Sequence, residues 1–124
     1  VLAQDIRNII SAFEQATKDY EWAYQQVNVK DKETQDILHS LELDPIDKNA
    51  RNRLATRLQR VRKERRQYKD TVEANQPIYE FLTGDKGKNM MNLLREVLGK
   101  TRKVEEYHRV RTYRPRVQAT IPNK

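Results

Sequence analysis

The sequence predicts an all-α protein, an elongated helical bundle or long helical hairpin that ends in an extended basic arm. Three observations carry this. Charged residues make up 35% of the 124 positions and apolar ones 36%, with only 3 Gly and 4 Pro, a balance typical of long, exposed helices. Apolar residues recur at heptad spacing over residues 2–27 and again over 54–82, and that period belongs to packed helices. The segment after residue 110 carries Pro115 and Pro122 and loses the period.

Leu2, Ile6, Ile9, Phe13, Ala16, Tyr20, Ala23 and Val27 follow a 4-3-4-3-4-3-4 spacing. Residues 2–28 are therefore expected as one helix, with Ile10 and Tyr24 widening its apolar stripe. Asp31 is expected to cap a shorter helix in which Ile37, Leu38 and Leu41 share a face. Trp22 lies off the seam; burial under the 31–43 segment is expected, and exposure would mark a contact surface. Asp44-Pro45 reads as the next helix start, because Asp44 can accept from free N–H groups and Pro45 suits the first helical position. Asp47 favours the positive end of the dipole.

The seam of that third helix is Leu54, Leu58, Val61, Arg65, Tyr68, Val72, Asn75, Tyr79 and Leu82. Its polar members Arg65 and Asn75 cost stability and can set register. Pro77 removes an i→i−4 bond, so the helix is expected over 45–75, with a kink or break near Asn75-Gln76 and a short turn to Leu82. Residues 83–88 read as a loop. Asn89 is expected to cap a fourth helix with Met90, Leu94, Val97, Thr101 and Val104 on its seam, Leu98 beside it, and Gly99 marking a close helix crossing. Regular helix is expected to fray at 108–110, which divides the chain into a helical domain, 1–110, and a basic extended tail, 111–124.

Composition also removes function classes. The absence of cysteine excludes disulfide scaffolds, thiolate metal sites and cysteine nucleophiles. Two serines and two histidines leave almost no material for a Ser-His-Asp constellation. His39 and His108 stand far apart, with no His-x-x-x-His or Glu-x-x-His pair, so no metal, cofactor or catalytic residue is assigned and the chain is expected not to be an enzyme. Gly84 and Gly87 lack the spacing and the preceding strand of a phosphate-binding loop. Apolar runs of two or three residues cannot span a membrane, so a soluble, cytoplasmic protein is expected.

Charge then points to a partner. The net charge is +7, yet residues 1–47 hold 4 Lys/Arg against 10 Asp/Glu, while 48–69 hold 10 against Glu64 alone. A basic surface for a polyanion and an acidic helix lying on a basic one both fit this asymmetry. On a helix, Arg53, Arg57 and Arg60 form one ridge and Arg62, Arg66 and Lys69 another beside it, and Lys63 is expected to engage phosphate with them. Several phosphates can be neutralised at once by such a rod, and arginine forks bind them in bidentate fashion. The competing reading is a solvated face paired with carboxylates of helix one. A second cluster, Tyr107 to Arg116, interleaves Arg109, Arg111, Arg114 and Arg116 with Tyr107 and Tyr113. Such an arm can enter a minor groove or stack on bases, or fold back onto the bundle through Val110 and Tyr113.

The stretches LQRVRKERRQYKD (58–70), PIYEFL (77–82), LLREVLGKTRKVEE (93–106) and RTYRPR (111–116) resemble the small uncharacterised helical proteins encoded by phages and prophages of Gram-positive bacteria. The resemblance implies a bacterial or phage setting, with nucleic acid or a host protein as partner; it brings no functional residues. The function expected first is a non-enzymatic nucleic-acid-associated or regulatory protein. Base readout is not indicated, because no helix-turn-helix spacing is present. The alternative is a protein-interaction module that docks on an acidic or nucleic-acid-binding enzyme and modulates it, and a homodimer or structural oligomer is compatible with the helix-one seam.

Overall fold

In the computed structural model, which describes residues 1–113, three helices account for all regular structure among the described residues: α1 (Leu2–Leu43), α2 (Lys48–Thr83) and α3 (Asp85–Val110). The all-α class is the one the seams predict. Element boundaries differ in each of the three helices, each for a physical reason.

α1 does not stop at residue 28; it continues for 42 residues, about 63 Å at 1.5 Å per residue. Asp31 is not a cap but lies within the helix, and the polar residues Lys30 and Thr34, at the seam positions that follow Val27, are half-buried and satisfied there. The Thr34 hydroxyl donates to the Lys30 carbonyl at 2.8 Å. The Lys30 ammonium meets Glu33 at 3.2 Å and Glu64 of α2 at 3.4 Å. What ends α1 is Pro45, since the residue before a proline is pushed to extended backbone and Asp44 has ψ 140°. No separate 31–43 helix folds back over Trp22, which stays 53% exposed with its ring edge-on to Tyr68 at 5.2 Å.

α2 begins at Lys48 rather than Pro45. Asp47, not Asp44, is the N-cap, its carboxylate accepting from the Ala50 N–H at 2.7 Å, so an orphan donor of the first turn is satisfied. Pro77 does not break the helix, which runs to Thr83. The proline faces solvent, where water can satisfy the carbonyl it leaves without a partner. The inward side chains beyond it are held by packing: Tyr79 stacks on Tyr20 of α1 at 4.0 Å and Leu82 is buried.

α3 starts at Asp85, so the expected loop contracts to Gly84 and Asn89 falls inside a helix. The close approach belongs to Gly87, not Gly99. A Cβ on Gly87 would overlap the Phe81 carbonyl oxygen, whereas one on Gly99 would meet nothing within 4 Å.

Four interhelical contacts define the layout. Asp31 meets Arg65 and Tyr20 meets Tyr79, so α2 runs antiparallel to α1. Glu105 meets Ala3 and Arg95 meets Glu14, so α3 is also antiparallel to α1, along its N-terminal half. α2 and α3 therefore follow one another in the same direction along α1, with a side-step at Gly84. One apolar cluster joins Ala3, Ile6, Ile10, Leu82, Met91 and Leu98; a second joins Ala23, Val27 and Val72. Ile37 and Val61, each 1% exposed, mark a third buried level nearer the α1–α2 turn.

Because α1 meets two partners from different directions, its seam shifts along its length. Ala3 and Ile10 are buried in the first half, and Leu2 and Ile9 are left exposed. In α3, likewise, Met91 and Leu98 are buried while Val97 and Val104 are not.

Candidate nucleic-acid interface

The basic helix predicted from the sequence is the first five turns of α2. Over this stretch only α1 packs on α2, and it does so through Leu54, Leu58, Val61, Arg65 and Tyr68, all buried or half-buried. Residues two apart on a helix differ by about 200° in direction, so Lys63 points away from α1 where Val61 points into it. Arg53, Arg57, Arg60, Arg62, Lys63 and Arg66 are all exposed, and Lys69 is half-buried.

The two ridges are not side by side. They occupy opposite flanks of the outward face of α2, and α1 treats them differently. The second ridge leans toward α1 carboxylate: Asp31 accepts from Arg65 Nε at 2.6 Å and lies 3.9 Å from Arg62. Arg66 is 3.7 Å from Asp70. Lys69 lines a small recess with Tyr24, Asn28, Asp31 and Arg65. On the first ridge, Arg60 pairs with Glu64 at 3.6 Å. Arg53, Arg57 and Lys63 have no carboxylate within 4.0 Å among the described residues. The carboxylate of α1 thus reaches one flank, and on the other Glu64 engages Arg60 while Arg53 and Arg57 are left unpaired among the described residues.

Glu64 is itself held inward. Lys30 is nearly enclosed by it and Glu33; burial works against the ammonium charge, but the hydrogen bonds and attraction of the two carboxylates outweigh it and raise the Lys30 pKa. This layer draws the one acidic residue of 48–69 away from the outer face.

Residues the charge reading passed over complete the surface. Asn52 and Thr56 line a shallow recess with Arg53, Arg57 and Arg60, and Gln59 and Gln67 line the next one with Lys63. Their spacing on the face opposite Val61 was present in the sequence, but neutral amides do not register in a count of charge.

The second predicted cluster lies elsewhere. Arg109 donates to Glu106 through Nε at 3.0 Å, and this pairing raises its pKa. Arg111 is exposed just past the end of α3. Arg114 and Arg116 lie outside the described residues. The α3 end sits at Ala3, and the nearest cation of the α2 cluster, Lys69, lies beside Tyr24, which separates them by roughly 30 Å along α1. The two clusters do not form one site.

An apolar surface is also present. The heptad row Ala23, Ala16, Ile9, Leu2 is buried at Ala23 under α2, half-buried at Ala16, and 47% and 58% exposed at Ile9 and Leu2 beyond the end of α2. Met90, Val97 and Val104 of α3 follow the same gradient. Among the described residues, no group of three His, Asp or Glu side chains is placed to hold a metal ion, and no helix is long and apolar enough to cross a membrane. Comparison with protein-family models, curated proteins and solved structures finds no match to this chain.

Proposed function

We propose that this chain is a non-enzymatic, nucleic-acid-associated or regulatory protein of a bacterial or phage-encoded cytoplasmic setting, binding phosphates through the outer face of α2. The supporting observation is a set of unpaired cations: Arg53 and Arg57 on one flank and Lys63 on the centre of the outward face are exposed and without carboxylate partners among the described residues, while Asp31 of the acidic helix is engaged on the opposite flank. In this reading α1 with α2 and α3 forms an elongated hairpin, a rigid rod that carries the cations outward. Rigidity matters because cations held in place neutralise several phosphates without further loss of side-chain freedom. Arg109 and Arg111 act as a second, separate contact at the far end.

The test is fluorescence anisotropy with labelled DNA and RNA between 50 and 300 mM salt. Binding is expected to weaken with salt, and Arg53→Ala/Arg57→Ala/Lys63→Ala to flatten the log–log slope by roughly 0.9 for each duplex phosphate that is no longer neutralised. Absence of binding to every probe at 50 mM salt would overturn the proposal.

A second reading, docking on another protein or on a second copy, is favoured by the exposed Ile9, Leu2, Val97 and Val104 rows. It predicts self-association or partner capture that survives Arg53→Ala/Arg57→Ala and is lost in Ile9→Ser/Val97→Ser.

A further inference from the structure

Building on the phosphate-binding reading, we infer that α2 over residues 51–67 lies in the major groove of B-form DNA and contacts base edges as well as phosphates. The sequence offers no helix-turn-helix, but α2 does not need one. It is braced from behind by α1 alone, and the rest of its circumference over these turns is open. A helix with side chains measures about 10–12 Å across, and the B-DNA major groove, about 12 Å wide, admits one.

The chemistry of the exposed face is sorted as that placement requires. Along its centre run Asn52, Thr56, Gln59, Lys63 and Gln67, with cations on both flanks: Arg53, Arg57 and Arg60 on one, Arg62 and Arg66 on the other. A helix seated in the groove has a sugar–phosphate wall on either side, so flanking arginines meet phosphates and central side chains meet base edges. Asn and Gln amides pair with adenine, and Arg and Lys with guanine N7 and O6. The side-chain amides of Asn52, Gln59 and Gln67 make no hydrogen bond within the protein among the described residues, whereas those of Asn75 and Gln76 on the same helix do. The central stripe holds no large apolar residue, so it is suited to a hydrated groove rather than a protein surface. A-form RNA closes this route, because its major groove is deep and narrow.

The experiment titrates the full chain against a 20-base-pair DNA duplex, the RNA duplex of the same sequence and the single DNA strand, over the same salt series for each. It is combined with dimethyl sulfate footprinting, which reads guanine N7 in the major groove and adenine N3 in the minor groove. Binding to duplex DNA at least tenfold tighter than to duplex RNA, with protection at N7, is the expected result. Gln59→Ala/Gln67→Ala, whose helicity by circular dichroism should be unchanged, is expected to weaken binding to the duplex by about tenfold through lost adenine contacts, while leaving the salt slope and the guanine N7 protection as they were. Equal affinity for both duplexes, or protection at N3 alone, would overturn the groove placement and leave phosphate binding standing. No binding to any of the three would overturn both.

Discussion

Asp31 Oδ1 accepts from Arg65 Nε at 2.6 Å, the shortest tie between α1 and α2 among the described residues. It sits in a polar layer with Lys30, Glu33 and Glu64, between the Val27–Val72 level and Ile37 and Val61. Arg65 interrupts an apolar seam, and an unpaired guanidinium there would pair poorly with α1. Asp31→Ala is therefore expected to destabilise the fold by about 1–2 kcal/mol, the range for hydrogen bonds to charged groups with some solvent exposure. A double-mutant cycle with Arg65→Ala, read by urea unfolding, should return a coupling energy of that sign. Additive effects would mean that the pair does not hold the register.

Two glycines of α3 provide a contrast. Gly87→Ala places a Cβ against the Phe81 carbonyl and the Leu82 Cα, both backbone. The α2–α3 corner must then open, at a cost of at least about 1–3 kcal/mol. Gly99→Ala meets no neighbour and should stabilise by up to about 1 kcal/mol, through helix propensity and a less flexible unfolded chain. Thermal melts of the two variants are expected to shift in opposite directions.

Pro77 lies on the exposed side of a continuous helix. Alanine there restores an intrahelical N–H donor, while the unfolded chain regains freedom that opposes part of the gain. The expected result is a net stabilisation of about 1–2 kcal/mol. If the chain instead broke at Asn75, the substitution would leave the midpoint of unfolding in place.

Glu105 accepts the Ala3 N–H at 2.9 Å and so holds the start of α1 against α3. That backbone hydrogen bond leads the influences that lower its pKa, against an opposing desolvation. A carboxyl with a folded pKa below its unfolded value of about 4.3 contributes fully above that value and loses its contribution as pH falls through the folded pKa. The stability difference between the parent chain and Glu105→Gln should therefore be present at pH 6 and shrink below about pH 4. A difference that stays constant across that range would show that the contact acts through shape alone.

The seams were legible because a heptad period survives any choice of partner. Ile6, Phe13, Tyr20 and Val27 lie at seam positions in the sequence and at buried or half-buried positions in the fold. Their neighbours were less legible. Leu2 and Ile9 fit the period as well as Ala3 and Ile10 do, and only the direction of approach of α3 separates the two rows. The continuation of α1 past residue 28 was not legible, because the next seam positions, Lys30 and Thr34, are polar; Glu64, distant in sequence, is what satisfies Lys30. The basic run was readable residue by residue, but its division into engaged and unpaired cations was not.

By itself the sequence determined helix as the regular structure of the described residues, the polar and apolar faces, and the excess of cations on α2, since period and composition are local properties of the chain. The tertiary structure decided where each helix ends, that Gly87 rather than Gly99 sits at a crossing, and which arginines face Asp31. Those outcomes depend on groups distant in sequence, brought together when α2 and α3 fold back along α1. A half-buried charge or a glycine acquires its role only from the particular atom that ends up beside it.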